Sequence, residues 1–216
     1  MQIKVEEFRC RSVYPAMAEI SALLDELYKK NDIGTLNWDK FQYKPRVQFA
    51  MAYGPKEIYL KFYVQEAHTK AEKSEINEMV CQDSCVEFFV SPADDGVYYN
   101  FEFNPIGTIH LSCGTGRHDR TRIENAVASK VRTMGSMGSL PFGERSGDMS
   151  WTLTIAIPLE VFINHDTGSL KGKTFRANFY KCGDMLTVPH YVTWNPVLTE
   201  KPDFHRPEYF GEIVFI

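Results

Sequence analysis

Polar side chains that could bind hydroxyl groups or a cation recur in two short segments near the middle of the chain. Glu87 stands between apolar residues in VEFFV, and Asn100, Glu102 and Asn104 alternate with phenylalanines in NFEFN. Successive side chains of a β-strand point to opposite faces of the sheet. The two segments therefore predict a strand surface of carboxylate and amide groups, backed by an apolar face.

The turn-forming run SPADDG joins these segments, so the sequence predicts an antiparallel hairpin, and TIHLS supplies a third strand. RVQFAMAY and IYLKFYVQEAH predict a second hairpin around a Gly-Pro turn. MSWTLTIAIP, FRANFYKCG and GEIVFI also alternate. Short strands in this number, with few helical segments, predict an all-β fold, an antiparallel β-sandwich. The expected inward set of the central hairpin is Val86, Phe88, Val90, Phe101 and Phe103.

Apolar residues at helical spacing predict one long N-terminal helix over residues 14–31. We interpret this helix as an extension of a single domain that spans residues 1–216. Residues 69–82 are expected to form a loop or a short helix, and residues 127–132 a strand. PLEVFI is expected to form a short helical turn.

Charge and cysteine content narrow the function classes. The formal net charge is −4 and the basic residues are scattered, which predicts neither a nucleic-acid nor a membrane partner. Five cysteines without a CxxC pair predict reduced, buried thiols rather than disulfides or a zinc knuckle. The first residues show no secretory leader, so the chain as written is expected in the cytoplasm, or in the periplasm or medium if a leader was removed.

Several residues have more than one possible interpretation. Glu87 and Glu102 could bind a sugar or a cation, form a solvated or salt-bridged face, or act as a catalytic pair. Catalysis is the least favoured, because an open sheet surface is expected to give little shelter to raise a carboxyl pKa. Asp94 and Asp95 are weak candidates for a structural calcium site, and a plain turn is favoured; no cofactor is required.

Four motifs in the order DSCVEFF, YYNFEFNPIG, WTLTIAIP and FHRPEYFGEIVF resemble the family 9 carbohydrate-binding modules, and more closely their single-domain relatives in Bacteroides-type bacteria. The resemblance runs over about residues 38–216. It implies a β-sandwich that binds mono- or oligosaccharides, or polysaccharide chain ends, without catalysis and in support of carbohydrate catabolism. DOMON-type haem-binding modules are more distant sandwich relatives.

The resemblance also implies roles for particular residues. Glu87 matches the family's carboxylate that accepts sugar hydroxyls, and Phe204 matches a tryptophan that stacks on the sugar ring. This chain departs from the pattern at Met79, next to where a second stacking tryptophan is expected, and at Glu102, where the family has an arginine. Lys61 is a further candidate for the polar face. The predicted carbohydrate-binding residues are Glu87, Asn100, Glu102, Asn104, Arg176, Asn178, Tyr180, Phe204, His205 and Arg206.

Two alternatives remain open on these residues. The missing tryptophan and arginine are also what a protein-interaction or accessory subunit would show if it had kept the sandwich and lost the sugar site. A glycoside hydrolase that uses Glu87 and Glu102 is the weaker alternative.

Overall fold

A computed structural model describes residues 1–10 and 12–216. The helices are α1 (Met17–Glu26) and α2 (Asn125–Ala128), with short 3-10 helices at Val80–Gln82, Leu159–Val161 and Pro207–Tyr209. The strands are β1 (Gln2–Glu7), β2 (Asn31–Asp32), β3 (Thr35–Leu36), β4 (Arg46–Tyr53), β5 (Glu57–Ala71), β6 (Cys85–Ser91), β7 (Tyr98–Phe103), β8 (Ile109–Gly114), β9 (Thr121–Arg122), β10 (Arg132–Gly135), β11 (Phe142–Pro158), β12 (Thr174–Cys182), β13 (Tyr191–Thr193) and β14 (Gly211–Phe215).

The strands form a β-sandwich, as predicted. One layer has the order β10-β11-β5-β4, and the other has the order β14-β12-β6-β7-β8-β9. Strand β1 joins the layers, since residues 2–5 pair with β14 and residues 6–7 pair with β4, both in parallel. The sheet is therefore continuous and curls back over its own apolar face.

Aromatic rings fill the space between the layers. Phe88 on β6 stacks on Phe179 of β12 with ring centroids 4.9 Å apart, and Phe179 stacks on Phe49 of the opposite layer at 3.8 Å. All five predicted inward residues of the central hairpin are fully buried in this core. The period of two thus places the alternate residues, including Glu87 and Glu102, on the outer face of this layer.

The N-terminal segment differs from its prediction. The helix spans only Met17–Glu26, because residues 27–30 turn away and β2 starts at Asn31. It is packed on the sandwich, with Ile20 and Leu24 buried against the outer face of β4, β5 and β11. Strand β1 was not predicted, because only Val5 of its six residues is buried and QIKVEE gives little apolar signal.

Three other segments also differ. Strand β5 continues to Ala71, so residues 69–82 begin as strand and then pass into a 3-10 helix. Residues 127–132 are not a strand, since helix α2 ends there and β10 begins only at Arg132. Lys61 lies on the other layer, where its Nζ donates to Asp25 (2.8 Å) and Ser21 (2.7 Å) of α1.

The helical turn in PLEVFI is confirmed. Within the described residues, no helix has the length and apolar character needed to span a bilayer.

Candidate functional site

A row of polar side chains crosses the outer face of four neighbouring strands. Tyr180 of β12 pairs with Glu87 of β6, Glu87 pairs with Glu102 of β7, and Glu102 pairs with His110 of β8. Each pair is in direct register, so the four side chains rise from the same face in one line. The sequence prediction that Glu87 and Glu102 share a face is confirmed by this register.

A cavity of about 360 Å³ lies over this row. Its floor includes Glu87, Glu102 and His110, and loops from four parts of the chain form its walls. The segment before β6 contributes Met79 and Cys81, and the segment after β8 contributes Arg117, His118 and Arg120, followed by Arg122 of β9. A third part consists of Cys182 of β12, Asp184 of the loop that follows it and Tyr191 of β13. The last long loop contributes Pro202, Asp203, Phe204 and His205.

The two floor carboxyl groups are sheltered from water. The exposed fraction is 3% for Glu87 and 7% for Glu102. Burial raises the pKa of both, and the Glu102 charge raises that of Glu87 further. Asp184, in the wall, also has a pKa raised by burial. The expectation that a sheet surface gives little shelter was therefore wrong, because the loops cover the sheet here. Carboxyl groups that retain protons can donate hydrogen bonds as well as accept them.

Arginine side chains supply the positive charge of the cavity. Arg120 Nη1 is buried, has no hydrogen-bond acceptor among the described residues and lies 4.0 Å from Glu102 Oε1. Arg117 pairs with Asp203 at 3.4 Å, closer to the rim. Burial, and then the charges of Arg120 and Arg117, lower the pKa of His205 to about 2, so its ring is neutral. A charged donor therefore lies beside the Glu102 carboxyl group.

Phe204 lines the cavity, but most of its ring is covered. It stacks on Tyr180 with centroids 4.1 Å apart and planes 8° apart, and the Tyr180 hydroxyl donates to the Phe204 carbonyl oxygen at 3.1 Å. Trp38 packs beside it, and the residue is only 8% exposed. Phe204 thus offers the cavity a small part of its surface rather than an open stacking face. Tyr180 therefore holds Phe204 in place through the ring stacking and the hydrogen bond.

Two of the predicted residues brace the site from below or beside it. Asn100 is fully buried and donates to Glu102 Oε1 at 2.8 Å, so it orients that carboxyl group. Asn178 donates to the carbonyl oxygen of Asn195 and accepts from its N–H, which ties the loop after β13 to the sheet. Neither side chain lines the cavity.

The remaining predicted residues lie outside the cavity. Asn104 donates to Asp83 and to the Lys73 carbonyl oxygen, and so fixes the connection between β5 and β6. Arg176 donates to the carbonyl oxygens of Glu208 and Phe210. The Arg206 side chain pairs with Glu208 at 2.6 Å and is 39% exposed. Their contacts are those of loop-anchoring residues.

The calcium candidates lie in the turn between β6 and β7. Asp95 accepts from the Val97 N–H at 3.0 Å and pairs with His165 Nε2 at 3.0 Å, and both Asp94 and Asp95 are exposed. These contacts are those of a turn, and calcium stays a prediction.

Sequence reasoning missed most of the cavity wall. The signal was the run TGRHDRTR, where three arginines and a histidine directly follow the third strand of the central region. Asp184 likewise follows the end of β12. The basic residues as a whole are scattered, which predicts neither a nucleic-acid nor a membrane partner. This run nevertheless gathers Arg117, Arg120 and Arg122 at one cavity.

Comparison with known proteins shows the family of the chain. The family model described as carbohydrate-binding family 9 matches residues 18–215. The chain therefore belongs to carbohydrate-binding family 9, and the predicted resemblance is confirmed.

Solved structures give the same result. A crystal structure of a Bacteroides uniformis protein that has been assigned a carbohydrate-binding role superposes with a TM-score of 0.95 and 39% identity, covering 100% of this chain and 99% of that one. A family 9 module from Caldicellulosiruptor kristjanssonii, solved with glucose and with cellotriose, superposes with a TM-score of 0.59 and 11% identity, covering 100% of this chain and 96% or 93% of those. At that identity the likeness shows the fold alone. The comparison with curated proteins found no match.

Proposed function

We propose that the protein binds a monosaccharide, or the end of an oligo- or polysaccharide, in the cavity over Glu87 and Glu102, without catalysis. The observation that carries the proposal is that two sheltered carboxyl groups, whose pKa values are raised by burial, and the Arg120 guanidinium meet in one cavity. Family membership, and the sugars bound to the Caldicellulosiruptor modules, support a saccharide as the ligand class.

The chemistry of the cavity suits sugar hydroxyl groups. Each hydroxyl both donates and accepts, and it is held best where donors and acceptors lie close together. Burial raises the pKa of Glu87 and Glu102, which favours the protonated form that can do both, and Arg120 donates charge-assisted hydrogen bonds. A cavity of about 360 Å³ is at the small end of ligand pockets, so one or two sugar rings fit better than an internal stretch of a long chain.

The apolar side of the sugar would meet a modest surface. Pyranose C–H groups pack on aromatic faces, and here Phe204 and the neutral His205 ring contribute parts of their surfaces. Met79, 47% exposed, lines the cavity close to the position expected for the second tryptophan. We expect weaker stacking than two tryptophans would give, and a larger share of the affinity from hydrogen bonds.

The position of the two carboxyl groups supports binding rather than hydrolysis. Side chains directly opposite each other on neighbouring strands have Cβ atoms about 4.5–5.5 Å apart and rise from the same face. A glycosidase needs its two carboxyl groups to flank the scissile bond. Glu87 and Glu102 would contact a sugar from one side. Chromogenic glycosides test this point, and enzymatic release of the chromophore would contradict it.

Titration calorimetry with glucose, cellotriose and a panel of other mono- and oligosaccharides tests the proposal. We expect Arg120→Ala to weaken binding roughly 10- to 100-fold, the loss typical of a hydrogen bond to a charged group, and Glu87→Gln to weaken it by a smaller factor. Arg145→Ala is the matched control, because Arg145 lies on β11 outside the cavity. Phe204→Ala is a poor test, since it also removes a buried ring from the loop packing.

Two results would contradict the proposal. One is a folded protein that binds no saccharide at millimolar concentration. The other is sugar binding that neither Glu87→Gln nor Arg120→Ala weakens. The first result would favour the accessory-subunit alternative, because the family fold would then be present without its usual ligand.

A further inference from the structure

Three ligand atoms suited to a metal ion converge beneath the cavity. Cys85 and Cys182 are direct cross-strand partners on β6 and β12, and Glu87 follows Cys85 by two residues, so all three side chains share one face. The two sulfur atoms and a Glu87 carboxylate oxygen all lie within 4.8 Å of one another. The exposed fraction is 0% for Cys85, 3% for Glu87 and 2% for Cys182.

These spacings are close to those of a tetrahedral site. Zinc binds sulfur at about 2.3 Å and carboxylate oxygen at about 2.0–2.2 Å, which separates neighbouring ligand atoms by roughly 3.6–3.8 Å. Cys182 Sγ lies 3.1 Å from Glu87 Oε1, which is shorter than that range, and every other separation is at most 4.8 Å. Small side-chain adjustments would therefore bring the three atoms around one ion.

We propose that Cys85, Glu87 and Cys182 form a binding site for a thiophilic divalent cation of the Zn²⁺ class. The inference goes beyond saccharide binding and does not require it. Two thiolates and one carboxylate suit Zn²⁺ and Cd²⁺ far better than Ca²⁺ or Mg²⁺, which prefer oxygen ligands.

Carboxyl groups lie close to the three ligands. Glu102 faces Glu87 on the neighbouring strand, and Asp184 lines the same cavity. Arg120 lies 4.0 Å from Glu102, and Arg117 and Arg122 also line the cavity. Lys181 is adjacent in sequence, but it points to the other face of β12 and pairs with Glu66. A cation at the three ligands would be attracted to the carboxyl groups of Glu102 and Asp184.

The thiol side chains carry protons when no metal ion is bound. The Cys182 thiol donates to Glu87 Oε1 at 3.1 Å. A divalent cation would displace the thiol protons of Cys85 and Cys182. Metal binding should therefore release protons, and the apparent affinity should rise with pH.

The site has three protein ligands and an open side. Glu87 and Cys182 line the cavity, so a fourth ligand would be a water molecule or an oxygen atom of a small molecule in the cavity. Structural zinc sites have four protein ligands, whereas an open position is typical of zinc ions that bind or activate a small molecule.

Titration of the reduced protein with Cd²⁺, in the absence of any saccharide, tests the proposal. We expect an ultraviolet sulfur-to-cadmium charge-transfer band that saturates at one Cd²⁺ per chain, with the intensity of two thiolates, and that Zn²⁺ removes by competition. Cys85→Ser and Cys182→Ser should each weaken Cd²⁺ binding at least tenfold. Cys113→Ser is the matched control, because Cys113 is also a buried thiol but lies on β8 in the apolar core.

The outcome is interpretable even if the serine variants fail to fold. The proposal would be overturned if the wild-type protein gave no charge-transfer band although a thiol assay showed that its cysteines were reduced. A band that persists in folded Cys85→Ser and Cys182→Ser variants would also overturn it. Because no sugar is present, either result leaves the saccharide proposal untouched, and a failure to bind sugar leaves the metal site untouched.

Discussion

Two buried polar clusters lie on opposite faces of strand β12, and they are built differently. Lys181 points between the two layers of the sandwich, while the next residue, Cys182, points to the cavity floor. The inner cluster contains Lys181, Glu66 and His190, and the outer one contains Glu87 and Glu102. Both clusters are shielded from water, so the balance of charge and hydrogen bonds is what distinguishes them.

In the inner cluster the charges are paired, although Glu66 Oε2 meets Lys181 as an ion pair without hydrogen-bond geometry. Lys181 Nζ lies 2.9 Å from Glu66 Oε2 and donates to His190 Nε2 at 2.8 Å. The other Glu66 oxygen accepts from Trp151 Nε1 at 2.7 Å and from Thr69 at 3.1 Å. One cation faces one anion, and the cluster bridges the two layers.

The outer cluster has two facing carboxyl groups and one arginine 4.0 Å from the nearer of them. Burial raises the pKa of both carboxyl groups, and Arg120 Nη1 has no hydrogen-bond acceptor among the described residues. The comparison suggests a general distinction: buried polar groups that are mutually paired hold the fold together, whereas incompletely paired ones remain available to a ligand.

The largest expected effect comes from breaking the inner pair. Lys181→Met leaves the Glu66 charge buried without a cation, which should lower the free energy of unfolding by about 3–5 kcal/mol. Urea denaturation measures this loss. Lys61→Met is the control, because its partner Asp25 is half exposed and can be hydrated, so we expect about 1 kcal/mol or less. Equal losses in the two variants would contradict the distinction.

A second substitution should then restore part of that stability. Adding Glu66→Gln to Lys181→Met removes the unpaired charge and keeps an oxygen that can accept from Trp151. We expect the double variant to be about 1–3 kcal/mol more stable than Lys181→Met alone, measured in the same urea experiment. A double variant no more stable than the single one would show that the lost cation mattered for some reason other than the Glu66 charge.

The pH dependence of stability should report on His190. Burial, followed by the Lys181 charge, lowers the pKa of His190 to about 2 in the folded protein, against about 6.5 in the unfolded chain. Its contribution is complete above pH 6.5. It is lost as the pH falls, by about 1.4 kcal/mol per pH unit, because only the unfolded chain takes up the proton. His190→Gln should lower the slope between pH 6.5 and 5 by that amount, and an unchanged slope would contradict the assignment.

The smallest expected effect lies in the outer cluster, and it has the opposite sign. Glu102→Gln removes the carboxyl group opposite Glu87, so it should raise the free energy of unfolding at pH 7 by on the order of 1 kcal/mol. The gain should shrink as the pH falls toward 4.5, because a raised folded-state pKa costs stability only once the unfolded carboxyl groups ionise. Glu75→Gln, at an exposed position, serves as the control in urea denaturation. A loss of stability would show that Glu102 is structurally paired after all.

Most of the longer strands and the floor of the site were predictable from the sequence, and most of the wall was not. A period of two places Glu87 and Glu102 on one face, and turn residues place their strands side by side. The register that sets them directly opposite each other came only with the structure. Arg120 and Asp184 reach the cavity through loop conformations, which leave no periodic trace in a sequence. The resemblance located Phe204, but its burial depends on Tyr180, Trp38 and the loop around them.

Strand β1 has a consequence for how the molecule assembles. Gln2 pairs with Glu212, 210 positions along the chain, and the same strand also pairs with β4 of the other layer. The seam between the two layers can therefore close only when both ends of the described chain are present. Such long-range pairing slows folding and leaves sheet edges exposed in the meantime. During synthesis on the ribosome, β1 could not join the two layers until β14, the last strand, had been made.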